Sequence, residues 1–196
     1  MATARLFLCI LCFAYSGSIG MFNGSLLGQN GQQRSFLGSS ADGREDSLRR
    51  RLVSLANQQV GVREATGNND GLRVEAYLAS VNLRKGQPWC AAYVSWLFAE
   101  AGLAKPRSGW SPDLFPSSRL ARSALPGNLI GIYSSELKRI AHVGMIMKQD
   151  GDWIVSCEGN TNVNGSREGD GVYIKRRHRL TIYRMADWLP ERRVPK

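Results

Sequence analysis

Cys90 is the residue whose setting most invites a chemical reading. It follows Gly86-Gln87-Pro88-Trp89, which breaks the chain, and opens a run in which Tyr93, Val94, Leu97, Phe98 and Ala101 recur at helical spacing. A thiol at a helix start feels the positive end of the macrodipole, which favours the thiolate, the nucleophilic form. Such a nucleophile needs a base and a group that orients the base. The chain has two histidines, His142 and His178. His178 lies in Lys175-Arg176-Arg177-His178-Arg179, which reads as a solvated strand end. His142 opens an alternating strand, Ile140-Ala141-His142-Val143-Gly144-Met145-Ile146, and Glu158 ends the next apolar run, Trp153 to Cys157. Pairing of these two strands through an Asp150-Gly151 turn is expected to set Glu158 directly opposite His142. The carboxylate would then hold one ring nitrogen while the other faces the thiol. Cys157, next to Glu158, must point to the other face of its strand and reads as a core thiol. Two histidines exclude a His-rich metal site, and Cys9 and Cys12 sit in an apolar run without partner ligands, so no metal is expected.

These residues need elements to position them. Asp46 and Ser47 are expected to cap a helix carrying Leu48, Leu52, Leu55, Ala56 and Val60, with Gly61 ending it. Glu64 to Gly71 reads as a loop and Leu72 to Val81 as a second short helix. The Cys90 helix follows, with Gly102 as its C-terminal glycine. From there the period changes. Asn128–Tyr133, His142–Met147, Trp153–Cys157 and Val172–Lys175 read as strands. Helices first and strands after predict an α+β fold with an antiparallel sheet packed on the Cys90 helix. The Pro-rich segment Leu103 to Gly127 is long enough for a functional loop, and its Trp110 and Phe115 are read as either lining a substrate groove or covering the core.

Gln87-Pro88-Trp89-Cys90-Ala91-Ala92-Tyr93-Val94, Ala141-His142-Val143-Gly144 and Glu158-Gly159-Asn160-Thr161-Asn162 together resemble the CHAP amidohydrolase/peptidases, in the papain-like group of bacterial cell-wall hydrolases. The resemblance runs over residues 47–180. Pro126-Gly127-Asn128 is similar to the family's Pro-Gly-Asp, with Asn in the Asp place. The resemblance implies a papain-like fold, Cys90 as nucleophile, His142 as general base and then acid, Glu158 as the orienting residue and Asn160 as an auxiliary polar group. It implies hydrolysis of peptidoglycan amides, by an N-acetylmuramoyl-L-alanine amidase or an endopeptidase, without a cofactor. The Cys90 backbone N–H would hold the oxyanion. Gln87 is the candidate second donor, and Trp89 and Trp110 are candidates for substrate contact. A cysteine amidase on another substrate, or a silent wall-binding module, uses the same residues differently.

The 196 residues fit one domain. A net charge of +10 suits an anionic wall polymer. No nucleic-acid motif accompanies that charge, and Lys and Arg are interleaved with acids, so a nucleic-acid partner is not expected. Residues 1–20 carry one positive charge, a short apolar core and a small-residue end, the outline of a secretory signal cleaved after Gly20. Residues 21–45 read as a flexible linker and 46–196 as the hydrolase domain. The expectation is a monomeric, secreted or periplasmic protein.

Overall fold

The computed structural model describes the backbone over residues 30–164 and 169–190, and side chains from residue 42 on. The expected signal peptide, and the linker up to residue 29, lie outside the described residues. Three helices precede the sheet: α1 Asn30–Gln59, α2 Leu72–Ala79 and α3 Cys90–Glu100. Six strands follow: β1 Leu120–Ala121, β2 Leu129–Ser134, β3 Arg139–Asp150, β4 Trp153–Thr161, β5 Gly171–His178 and β6 Arg184–Ala186. They form one antiparallel sheet in the order β1-β6-β2-β3-β4-β5. The protein is therefore α+β, with its helices N-terminal to the sheet.

The first helix begins at Asn30, not at Asp46, so Asp46 and Ser47 are interior residues and not caps. Residues 30–45, expected as linker, belong to the helix. Their Gly, Ser and Gln composition carries no apolar stripe to announce it. The second half has that stripe: Leu52 and Ala56 are fully buried, and Gly61, at φ +92°, turns the chain away after the helix.

Helix α3 is expected to bury one face, but it is buried all round: every residue from Cys90 to Phe98 is inaccessible or nearly so. It lies between α1, α2 and the sheet, which leaves it no solvent face. Its C-terminus is closed by a Schellman arrangement. Leu103 N–H donates to the Phe98 carbonyl and Gly102 N–H to that of Ala99, with Gly102 at φ +82°. The anchor at its other end is Trp89, which is fully buried beside Tyr77 and Tyr93.

Helix α1 is tied to the strand entry through Arg49. Its guanidinium donates to the Pro126 carbonyl (2.8 Å) and to Asn128 Oδ1 (2.9 Å), and pairs with Glu45 and Asp187. Asn128 Nδ2 donates to the Ser123 carbonyl at 3.0 Å. Asn128 thus organises the entry to β2 with both ends of its amide.

Candidate active site

Helix α3 fixes the candidate nucleophile. The residue before it, Trp89, has no side-chain oxygen to cap the first turn, so the dipole's positive end acts at Cys90 itself. Cys90 is 5% exposed and lines a cleft of about 730 Å³. Residues of the Glu64–Gly71 loop line that cleft together with Leu137, Arg139, Ala141, Asn160 and Asp170.

Strand β3 fixes the candidate base. Opposite β2, Ile132 pairs with His142 and Tyr133 with Ile140, so Ala141 is an extra residue, a bulge next to the histidine. Bulges re-aim the neighbouring side chain, and this one sits at the mouth of the cleft. His142 Nε2 lies 2.8 Å from Glu158 Oε2. The carboxylate can only accept, so Nε2 carries the proton and Nδ1 is the nitrogen left for Cys90, the thiol with which His142 interacts.

The expected register, with Glu158 directly opposite His142, is corrected. The hairpin turn is Gly151-Asp152, flanked by the pair Asp150 and Trp153, and Met147 is a second bulge. These set Met145 opposite Cys157, with Gly144 and Glu158 the next residues beyond that pair on the two strands. Glu158 therefore reaches His142 along the diagonal of one face. Gly144 makes this possible: a Cβ there would lie 2.5 Å from Glu158 Cγ. The missing side chain is the space the carboxylate crosses.

Glu158 is fully buried and fully occupied. Arg177 donates Nε to Oε1 and Nη2 to Oε2, each at 2.6 Å, and Ser156 Oγ donates to Oε1 at 2.6 Å. Burial works to raise its pKa. The Arg177 and His142 bonds outweigh burial and hold the carboxyl well below the usual range. Burial likewise opposes charge on His142, but Cys90 and Glu158 outweigh it and bring its pKa up to about 9. For Cys90, burial would raise the thiol. The His142 bond and charge, the Ser111 hydroxyl and the Val143 N–H outweigh burial and lower it. Both shifts favour a thiolate–imidazolium pair, ready as nucleophile and acid.

Two members of this constellation were not expected from the sequence. Arg177 belongs to the basic stretch that reads as a solvated strand end. Strand alternation holds the missed signal: β5 pairs Tyr173 with Glu158 and Lys175 with Ser156, so Arg177 shares their face. Ser111 lies in a 3₁₀ turn, Ser111–Leu114, and its buried hydroxyl is 3.4 Å from Cys90 Sγ. No local pattern marks it.

The other expected site residues divide. Asn160 lines the cleft but does not bond to His142. With its amide oriented to satisfy both ends, its oxygen accepts from Trp89 N–H (3.2 Å), and its nitrogen donates to the Gly169 carbonyl (3.1 Å) and to Asn69 Oδ1 (3.3 Å). It positions the chain just ahead of Cys90. Trp89 is corrected from substrate contact to support: a fully buried ring has no surface to offer, and its indole N–H donates to Glu64 at 2.8 Å. Gln87 is exposed and is not among the residues lining the cleft, so its position does not support an oxyanion role. Trp110 is 49% exposed with the Arg139 guanidinium stacked 4.0 Å from its ring centre, whereas Phe115 is buried. Cys157 lies on the core side, 3.1 Å from the Tyr93 hydroxyl, and burial pushes its thiol up to about 11. His178 ends β5, its Nδ1 accepting from Leu180 N–H. Among the described residues, no three His, Cys, Asp or Glu side chains gather as metal ligands.

No family model matches the chain, and no curated protein matches it. Among solved structures, the crystal structure of Ly7917 is similar at 15% sequence identity and a TM-score of 0.41. The match covers 70% of this chain and 60% of that one, so this chain spans under two thirds of that protein.

Proposed function

We propose that the protein is a cysteine hydrolase of the CHAP type that cleaves amide bonds of peptidoglycan. The observation that carries this reading is the linked set Cys90, His142, Glu158 and Arg177: a thiol at an uncapped helix start, its pKa lowered by an imidazole whose Nε2 is held by a clamped carboxylate. Support for the wall as substrate comes from the resemblance of the motifs around Cys90, His142 and Glu158, and from the basic charge. The same charge suits an anionic wall polymer as partner.

In this mechanism the Cys90 thiolate attacks the amide carbonyl, and a C–S bond forms as the carbonyl π pair moves to oxygen. The Cys90 backbone N–H at the helix start steadies that oxyanion. Collapse breaks the C–N bond, and the imidazolium of His142 gives its proton to the leaving amine. A thioester remains. His142, now neutral, takes a proton from water as the hydroxide adds to the thioester, and the carboxylic product leaves the thiolate restored. Glu158 holds the ring and balances its charge; it stays ionised because Arg177 and Ser156 occupy its oxygens. Secretion as a monomer completes the proposal; it rests on the pattern of residues 1–20, outside the described residues.

Mass spectrometry of muropeptides before and after digestion tests this reading. Release of intact stem peptides identifies an amidase, and shortened stems or opened cross-links an endopeptidase. Wall material left unchanged by wild-type protein, with hydrolysis of an unrelated amide, would move the activity to another substrate. Binding of wall without hydrolysis of any amide would make the protein a binding module.

A further inference from the structure

The cleft carries one cation whose charge is met by no carboxylate among the described residues. Arg139 begins β3 and lines the cleft with Cys90. Its guanidinium lies 4.0 Å from the centre of the half-exposed Trp110 ring, and among the described residues its hydrogen bond, from Nη1, goes to the Ile140 carbonyl at 3.1 Å. The acids of the same cleft are engaged elsewhere. Glu64 accepts from the Trp89 indole and from Asn69 N–H, and Asp170 from the Tyr173 hydroxyl. Contact with the Trp110 ring steadies the guanidinium, and its remaining N–H donors meet no protein carboxylate among the described residues; a guanidinium fork of that kind binds a carboxylate through two parallel bonds.

Both halves of this platform are covalently close to the reacting atoms. Trp110 precedes Ser111, whose hydroxyl is 3.4 Å from Cys90 Sγ. Arg139 stands three positions before His142 on β3, a span of roughly 10 Å at the rise of a strand. A group bound there belongs to a residue one or two positions from the scissile amide.

We infer that Arg139, stacked on Trp110, is the subsite for a free carboxylate of the substrate peptide, next to the bond that Cys90 attacks. The inference rests on the cysteine-hydrolase reading and narrows it. The enzyme selects stems whose carboxyl groups are free over stems in which they are amidated.

The test uses the full chain and two soluble muropeptides of one sequence, one with free carboxyls and one with those carboxyls converted to primary amides. Wild-type protein is expected to favour the free-carboxyl form in kcat/KM by roughly tenfold to a hundredfold, the worth of a charge-assisted pair. Arg139→Gln should bring that ratio towards one, mainly by raising KM for the free-carboxyl form. Arg139→Lys, which keeps the charge and loses the fork, should restore part of the ratio. No preference in wild-type protein, or a preference that survives Arg139→Gln, would overturn the subsite. If wild-type protein hydrolyses neither muropeptide, the reading of peptidoglycan as the substrate fails on that result alone. Calorimetric binding of the same pair to Cys90→Ala and Cys90→Ala/Arg139→Gln proteins then decides the subsite. Tighter binding of the free-carboxyl form, lost with Arg139, supports it. Equal affinities overturn it. If Arg139→Gln does not fold, the wild-type preference and its change in Arg139→Lys carry the same decision.

Discussion

Gly144→Ala adds one methyl group to a residue that is neither acid, base nor nucleophile, and it should nevertheless disable the site. The added Cβ would stand 2.5 Å from Glu158 Cγ, 3.2 Å from Cδ and 3.3 Å from Oε1. Carbon atoms rest at roughly 3.5–4.0 Å, so the carboxylate or the strand must give by about 1 Å. Glu158 cannot swing aside freely, because Arg177 and Ser156 hold it at 2.6 Å. The displacement therefore falls on its bond to His142. A misplacement of about 1 Å in a catalytic array costs on the order of a hundredfold in rate, and overpacking a core costs about 1–3 kcal/mol in stability. The assay is kcat/KM on a peptidoglycan amide beside a thermal melt of the same protein. The variant should fold with a lowered Tm and lose most of its turnover. Wild-type turnover at wild-type Tm would mean that Glu158 does not cross Gly144, and the register derived for β3 and β4 would be refuted.

Three further outcomes follow from the same geometry. Arg177→Met leaves Glu158 buried with a smaller set of partners. Breaking such a pair costs about 3 kcal/mol, read by urea denaturation, and turnover should fall with it. Since the Glu158 pKa is lowered by folding, its stabilisation is present above the ordinary carboxyl value and is lost as pH falls, so the acid-denaturation midpoint of Arg177→Met should move to higher pH. In wild-type protein, kcat/KM should fall on the basic side as pH passes about 9, where His142 loses its proton, and on the acid side where the lowered Cys90 thiol regains one; a profile still rising above pH 10 would contradict the ion pair. Cys157→Ser should keep wild-type kcat, and iodoacetamide at neutral pH should label Cys90 while leaving Cys157, whose thiol is pushed up to about 11, unmodified.

The legible parts of the molecule are those whose apolar residues recur at a regular spacing in the sequence. Helix α3 and strands β2 to β5 announce themselves as apolar runs, and Cys90, His142 and Glu158 fall on them where expected. What escaped has no such period. The first half of α1 lacks an apolar stripe, and β1 and β6, of two and three residues, are too short to alternate. The bulges at Ala141 and Met147 are single extra residues with no mark in the sequence, yet the first sets His142 against β2 and the second decides which residue lies beside Glu158. The same limit hid Ser111, which meets Cys90 only through the path of the long loop. Arg177 was misread for a different reason. A run of basic residues looks solvated until one asks which of them share a strand face with a buried acid. The glycine of the Ala141–Gly144 motif is legible only afterwards, as the space that lets the carboxylate reach the ring.

The central claim is that Cys90 carries the acyl group between two half-reactions. Intact-mass spectrometry of the protein, quenched in acid during turnover of a peptidoglycan amide, reads this directly. The account predicts a transient adduct equal to the acyl portion of the substrate, localised to the peptide containing Cys90. It also predicts that Cys90→Ala shows neither adduct nor turnover. Turnover by folded Cys90→Ala, or an adduct on any other residue, would contradict it.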